Sequence, residues 1–268
     1  MKILTNRIKQ LVNQTLKPLN VGLVSNPYLK QLVEHDQQGS RAIEDIAIIL
    51  ELPDRHSSRL LKILGRSRSQ LRQDLVVLSL LDFKRNGYFV EFGATNGFDL
   101  SNTYLLEKDF GWSGILAEPA RCWHKDLRNN RDCHVETVCV WRDSYSILKF
   151  NEVDTAELST IDAYSSLDNH HVARKDGKTY DVKTISLEDL LDKYNSPKII
   201  DYLSIDTEGS EFEILSNFNF DKYQFRVITC EHNFQPAKER IYSLLTARGY
   251  VRKFEKLSQF DDWYVRAE

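Results

Sequence analysis

From Tyr88 onward the chain alternates short β-rich runs with segments of helical periodicity, and this alternation narrows its fold more than any other feature. Tyr88-Phe89-Val90-Glu91-Phe92 is a five-residue run stopped by Gly93, and Gly114-Ile115-Leu116-Ala117 is a second, stopped by Glu118-Pro119. Further strands are predicted over 135–140, 199–205 and 225–230, with a last pair over 250–254 and 263–266. Helical patterns lie between them, over 70–81, 101–109, 121–130, 212–218 and 236–247. Ser186, with Asp189 three residues on, marks the capped start of another. Strands separated by helices call for a parallel sheet covered on both faces, so the fold class is α/β. In such sheets ligands bind beyond the carboxyl ends of the strands, near the point where strand order reverses.

Two segments stand outside this pattern. Residues 143–184 are polar and irregular, too long for a plain connection, and read as an insertion with a task of its own; His170-His171 lies near its middle. Residues 1–68 read as an N-terminal helical extension, and 69–268 as the main domain. In the extension Ile3, Leu4, Ile8, Leu11, Val12 and Leu16 recur at helical spacing beside Lys2, Arg7, Lys9 and Lys17. A basic amphipathic helix of this kind suits an anionic membrane surface, or packing on the main domain or a second subunit in a homo-oligomer.

Composition removes several classes of function. With 268 residues, 41% hydrophobic and 28% charged, the chain is globular rather than disordered. A net charge of -3 argues against nucleic acid as a partner. No apolar run approaches the roughly 20 residues of a membrane span, and the first residues lack the core of a secretory signal. Cys122, Cys133, Cys139 and Cys230 form no C-x-x-C pair, which fits free thiols in a reducing cytoplasm. The expected location is cytoplasmic, or peripheral at the inner face of the membrane.

The residues after the strands carry the chemistry. Glu91-Phe92-Gly93-Ala94-Thr95-Asn96-Gly97 follows the first strand; its glycines permit a tight turn and close backbone approach, and its acid suits a ligand with a positive amino group. The spacing is not the G-x-G-x-x-G of dinucleotide enzymes. Glu118, after the second strand, is placed to accept hydrogen bonds from both hydroxyls of a ribose. A nucleoside bearing an amine is therefore expected, and S-adenosylmethionine fits better than NAD. Asp206-Thr207-Glu208-Gly209-Ser210-Glu211 follows the fourth strand and Glu231-His232-Asn233 the fifth. Carboxylates converging there imply a cation, a proton or a basic substrate. His232 or Glu208 would serve as general base toward a substrate hydroxyl, or Asp206, Glu231 and His232 would hold a divalent ion. Glu208 and Glu211 also suit plain capping of the next helix.

These motifs together resemble the FkbM-type methyltransferases. The resemblance rests on Ser69-Gln70-Leu71-Arg72-Gln73-Asp74, Phe89 to Gly97, Ser101-Asn102-Thr103, and Gly111-Trp112-Ser113-Gly114-Ile115-Leu116-Ala117-Glu118-Pro119. It extends to Ser186-Leu187-Glu188-Asp189-Leu190-Leu191 and, most distinctively, Ile205-Asp206-Thr207-Glu208-Gly209-Ser210-Glu211. It spans about Ser69 to Trp263, with Arg72 where the family pattern often has glycine. What it implies is a Rossmann-like, seven-stranded, mostly parallel sheet and an S-adenosylmethionine-dependent O-methyltransferase acting on a sugar or glycan hydroxyl, as in polysaccharide biosynthesis. By this resemblance Glu91, Gly93 and Gly97 border the methionine part of the cofactor and Glu118 the ribose. Gln70, Ser101 and Asn102 make outer contacts, and Ala94, Thr95, Asn96, Pro119, Val140 and Asp206 complete the cofactor set. The catalytic set is Asp206, Glu208, Glu231 and His232. Similarity to the magnesium-dependent macrolide-sugar O-methyltransferases adds a metal such as Mg2+ on Asp206, Glu231 and His232. The rivals are an NAD enzyme modifying nucleotide sugars, disfavoured by the glycine spacing, and a non-catalytic scaffold subunit of a glycan assembly complex.

Overall fold

The computed structural model describes residues 41–166 and 169–267. The amphipathic pattern over residues 3–16 lies outside them. The chain divides into Met1–Ala47 and Ile48–Glu268; in the first unit the described residues, 41–47, are helical. Everything below concerns the second.

Its main sheet is built from β1 (Tyr88–Phe92), β2 (Ser113–Ala117), β3 (His134–Glu136), β8 (Ile199–Ile205), β9 (Gln224–Glu231), β10 (Tyr250–Lys253) and β11 (Asp261–Arg266). Between them β4 (Cys139–Trp141), β5 (Ile147–Glu152), β6 (Thr160–Ile161) and β7 (Lys178–Ser186) form a second sheet. The seven strands run in the order β10-β11-β9-β8-β1-β2-β3. From β1 the chain moves outward through β2 and β3, then returns to the other side of β1 as β8, so strand order reverses between β1 and β8.

The expectation of a mostly parallel sheet is corrected to a mixed one. The ladders β1–β2, β2–β3, β1–β8 and β8–β9 are parallel, but β11 is antiparallel to both β9 and β10. The reason is local. A short turn joins β10 to β11, and a hairpin can pair only antiparallel.

Alternation along each strand divides the core between the two faces of the sheet. Val90, Ile115, Leu203, Ile228 and Tyr264 pack on one face with the helices Leu187–Lys193, Glu211–Ser216 and Ala237–Ala247. Phe89, Leu116, Tyr202, Val227 and Trp263 pack on the other with Gln73–Leu80 and Tyr104–Phe110. Leu52 and Leu60, on the extension side of the expected boundary at 68, join this second cluster. Because both faces are covered, β1 and β8 read as nearly unbroken apolar runs.

The predicted strand over 135–140 is two strands in two sheets. Glu136 is the cause: its buried carboxylate accepts the N–H groups of Thr137 (2.9 Å) and Val138 (3.2 Å), turning the chain out of the main sheet. The irregular stretch over 143–184 forms most of the second sheet, ordered β4-β7-β5-β6, over a small core of Trp141, Phe150, Ile161 and Val182. The chain rejoins the main architecture at the expected cap, where Ser186 Oγ accepts the Asp189 N–H at 3.1 Å. Replacing Ser186 by Ala is expected to cost about 1 kcal/mol, read as a lowered urea midpoint with an unchanged slope.

Candidate active site

A cavity of about 330 Å³ lies at the carboxyl ends of the main-sheet strands, at the reversal between β1 and β8. The residues after β1, β2, β8 and β9 form its wall, as the α/β rule requires. Gln70, Glu91, Gly93, Ala94, Thr95, Ser101, Asn102, Glu118, Pro119, Val140, Asp206, Glu208 and Glu231 all line it. Asn96, Gly97 and His232 do not. Sequence reasoning missed Gln73, Ser204, Asn233 and Asp261 as lining residues, and Leu158 and Ile161 from the 143–184 segment; Phe150 and His170 of that segment line the cavity too.

Gly93 is required by packing as much as by any ligand. It has φ +71°, and a Cβ there would stand 1.9 Å from the backbone oxygen of Asp206. The turn after β1 therefore rests directly on the turn after β8. Gly97 serves elsewhere: a Cβ on it would meet Leu127 Cδ1 at 2.6 Å and Arg131 Cγ at 2.7 Å. Arg131, fully buried, donates to Gly97 O (3.1 Å), Ser101 Oγ (3.1 Å), Thr103 Oγ1 (2.8 Å) and Glu107 (2.7 Å), and lies 3.7 Å from Glu91. Asn96 is spent on its own turn, accepting the N–H groups of Phe98 and Asp99 at 2.9 Å.

Glu91 is likewise committed. Its carboxylate accepts from Ser101 Oγ (3.2 Å), the Asn102 N–H (2.8 Å) and the Thr103 hydroxyl, so it shapes the 101–103 loop. That loop presents Asn102, whose Nδ2 donates to Ser204 Oγ at 2.9 Å. The opposite atom, Asn102 Oδ1, is buried without a hydrogen-bond partner. A buried acceptor left bare costs free energy until a donor arrives. An ammonium group is one such donor, and both Glu91 and Asn102 line the cavity.

Glu118 holds the other end of the cavity. Its two carboxylate oxygens accept the N–H groups of Thr95 and Ala120, each at 2.8 Å, leaving a further lone pair on each oxygen for a ligand hydroxyl. Burial pushes its pKa up to about 7 in spite of these bonds. Between Glu118 and Asn102 the wall mixes polar groups with Ala117, Cys139, Val140 and Phe150. This surface suits a base, a diol and an amine together, and S-adenosylmethionine has all three.

At the third edge one carboxylate oxygen each from Asp206, Glu208 and Glu231 lies within 4.8 Å of the others. Burial, and then the charge of Asp261, raises the Asp206 pKa to about 7, although a hydrogen bond with Glu231 works against the rise. Glu231 is driven well above the usual carboxylate range by burial and by Asp206. Two carboxylates this close disfavour ionising together, so each raises the cost of charging the other. Glu208 is different: its Oε2 takes a hydrogen bond from buried Arg174 at 2.7 Å and another from Asn233 Nδ2 at 3.3 Å. Glu211 caps its turn, accepting from the N–H groups of Thr207 (2.9 Å) and Gly209 (3.1 Å).

His232 is set apart from this edge. Its Nδ1 accepts the Phe234 N–H at 3.0 Å, and its Nε2 lies 3.7 Å from Asp262 Oδ1. His232 follows the last residue of β9, and the turn that begins there directs its ring to the Phe234 N–H and Asp262, away from the cavity that Glu231 and Asn233 line. A divalent ion does not fit these residues as they stand. The expected imidazole ligand is turned away, and the Arg174 guanidinium already occupies Glu208 Oε2.

Fold and cavity define a class, the S-adenosylmethionine-dependent methyltransferases. Residues 91–252, well over half of the chain, match the methyltransferase FkbM domain, and the protein belongs to that family. No curated protein matches the chain by sequence at a significant level. Similar solved structures include precorrin-6y C5,15-methyltransferase from Geobacter metallireducens (13% identity, 72% of this chain and 87% of that one, TM-score 0.38). A putative RNA methyltransferase from Pyrococcus horikoshii (11% identity, 73% and 83%, TM-score 0.35) is another. A third is the human methyltransferase 10 domain containing protein (14% identity, 73% and 80%, TM-score 0.38). Likenesses this loose say nothing of substrate.

Proposed function

We propose that the protein is an O-methyltransferase that alkylates a hydroxyl of a sugar or glycan acceptor. The observation that carries this reading is the Asp206–Glu231 pair on the cavity wall, where burial raises the Asp206 pKa to about 7 and drives Glu231 well above the usual carboxylate range. A hydroxyl must lose its proton as its oxygen is methylated, and a base poised near the working pH serves that need best. The sugar acceptor follows from the family resemblance. On the same reading the enzyme acts in the cytoplasm or at the inner membrane face, with residues 1–68 as its contact segment.

When bound, S-adenosylmethionine supplies an electrophilic methyl on a positive sulfonium. Glu118 would accept from its ribose hydroxyls and Asn102 Oδ1 from its amino group, the two residues that would hold it in place. Gly93 brings the first turn against the Asp206 backbone, so cofactor seat and acid pair move as one body. Asp206 receives the hydroxyl proton, Glu231 shares it, and water takes it away after transfer. Alignment accounts for most of the acceleration, since transfer discharges the sulfonium and leaves little charge to stabilise.

Calorimetric titration with S-adenosylhomocysteine, followed by labelled methyl transfer to glycan and RNA acceptors, tests this reading. Micromolar binding is expected, weakened about 100-fold in Glu118→Ala. The label should appear on glycan and survive mild alkali, as a methyl ether does and a methyl ester does not. Alkali-labile label, or label in RNA alone, defeats the assignment; binding with no transfer points to the scaffold role.

A further inference from the structure

The segment between β4 and β7 does more than wall the cavity. It buries an arginine. Arg174 is 2% exposed as a residue and its side chain is wholly buried. Its Nε donates to the Leu158 carbonyl at 2.6 Å and its Nη2 to Glu208 Oε2 at 2.7 Å, while its own carbonyl accepts from Asn151 Nδ2 at 2.9 Å. The same segment grips the backbone of Glu208, through the Thr160 hydroxyl donating to its carbonyl at 3.0 Å. Glu208 sits at φ +59°, a conformation that a bulky side chain adopts only when its surroundings hold it there. Stripping water from a guanidinium costs several kcal/mol, which a carboxylate must offset.

Glu208 is also one of three acids whose oxygens lie within 4.8 Å of one another. The guanidinium is hydrogen-bonded to one of these acids, so the other two carboxylates lie within about a Debye length of its charge. Arginine keeps that charge at every accessible pH. We propose that Arg174 is a positioning residue of the active site: it supplies the resident positive charge of the Asp206–Glu208–Glu231 cluster, in the place a divalent cation would otherwise take. The inference rests on the proposed hydroxyl methylation for its purpose, though not for its test. It makes the insertion an electrostatic part of the catalytic apparatus. Without that charge the three acids must take up another proton, and lose their value as a base, or bind a metal.

The experiment needs no acceptor. The probe is Mn2+ alone, followed by electron paramagnetic resonance on the full chain at mildly alkaline pH, with S-adenosylhomocysteine calorimetry reporting the integrity of the cofactor seat. The parent chain is expected to leave Mn2+ free at about millimolar concentration. Arg174→Met should bind S-adenosylhomocysteine within about threefold of the parent, yet take up Mn2+ at least about tenfold more tightly; adding Asp206→Asn should abolish that uptake. Arg174→Lys keeps the charge and should stay silent toward Mn2+. Where Arg174→Met fails to fold, Arg174→Gln is read in its place. A parent chain that binds Mn2+ through Asp206 overturns the proposal, as does a folded charge-removed variant that binds it no better than the parent. Failure of the parent to bind S-adenosylhomocysteine would defeat the functional reading instead, and the two outcomes are distinct.

Discussion

Asp206→Asn is expected to abolish methyl transfer and, at the same time, make the protein more stable at alkaline pH. The loss should be at least about 100-fold in turnover, the usual worth of a general base. The gain follows from linkage. The folded Asp206 has a pKa of about 7 against an ordinary 3.8, so between those values the folded state binds more protons than the unfolded one. Stability from this group is complete below about pH 4 and is lost as pH rises through 7. At pH 8 the parent carries a buried carboxylate beside Glu231, and asparagine does not. The melting temperature of Asp206→Asn should exceed that of the parent by roughly 10 °C at pH 8, by about a third of that at pH 5, and by almost nothing below pH 4. Parent turnover should rise with pH through about 7, because the protonated pair cannot accept a further proton. An acidic limb near 4 would show that the pair is not the base.

Gly93→Ala should be the most damaging single methyl group in the molecule. The new Cβ would lie 1.9 Å from the Asp206 carbonyl oxygen and 3.0 Å from its carbon, at a φ of +71° that alanine disfavours. Both obstacles are backbone, so neither yields by a side-chain rotation. The ends of β1 and β8 must separate, which opens the parallel ladder at Phe92 and Ile205. A cost of about 3 kcal/mol or more is expected, roughly 6–12 °C in melting temperature, together with loss of measurable S-adenosylhomocysteine binding. Gly97→Ala is the comparison. Its obstacles are side-chain atoms, Leu127 Cδ1 and Arg131 Cγ, and not backbone, so it should cost less and spare the cofactor. Equal damage from the two would mean that φ alone matters, not the contact between the turns.

Local signals made part of this molecule readable in advance. β1 and β8 fall where their apolar runs and the flanking glycine and proline place them, because burial on both faces leaves no other use for such runs. Glu118 and Asp206 were legible as residues that follow strands, and they line the cavity. His232 was misplaced because nothing in the sequence marks the turn after Glu231, in which its ring nitrogen accepts the Phe234 N–H. The break at Glu136 escaped detection because it depends on a side chain satisfying two backbone donors, where propensity predicts a continuous strand. The second sheet escaped because its long strand, Lys178–Ser186, alternates exposed polar residues with only a few buried ones. The two buried arginines were the least visible features. Arg131 meets Glu91, and Arg174 meets Glu208, across more than thirty intervening residues, and nothing in the neighbourhood of either arginine announces its partner.

The chain departs for the second sheet just after Glu136 and comes back at Ser186, and its outgoing and incoming strands lie side by side, Trp141 against Ser186. Departure and return through a single doorway make the intervening stretch an exchangeable cassette. Trading this cassette would change the part of the cavity wall made by Cys139, Val140 and Phe150 along with Arg174. The trade carries one condition: the newcomer must bring a cation of its own to the acids waiting beneath it, or leave room for a metal to do so.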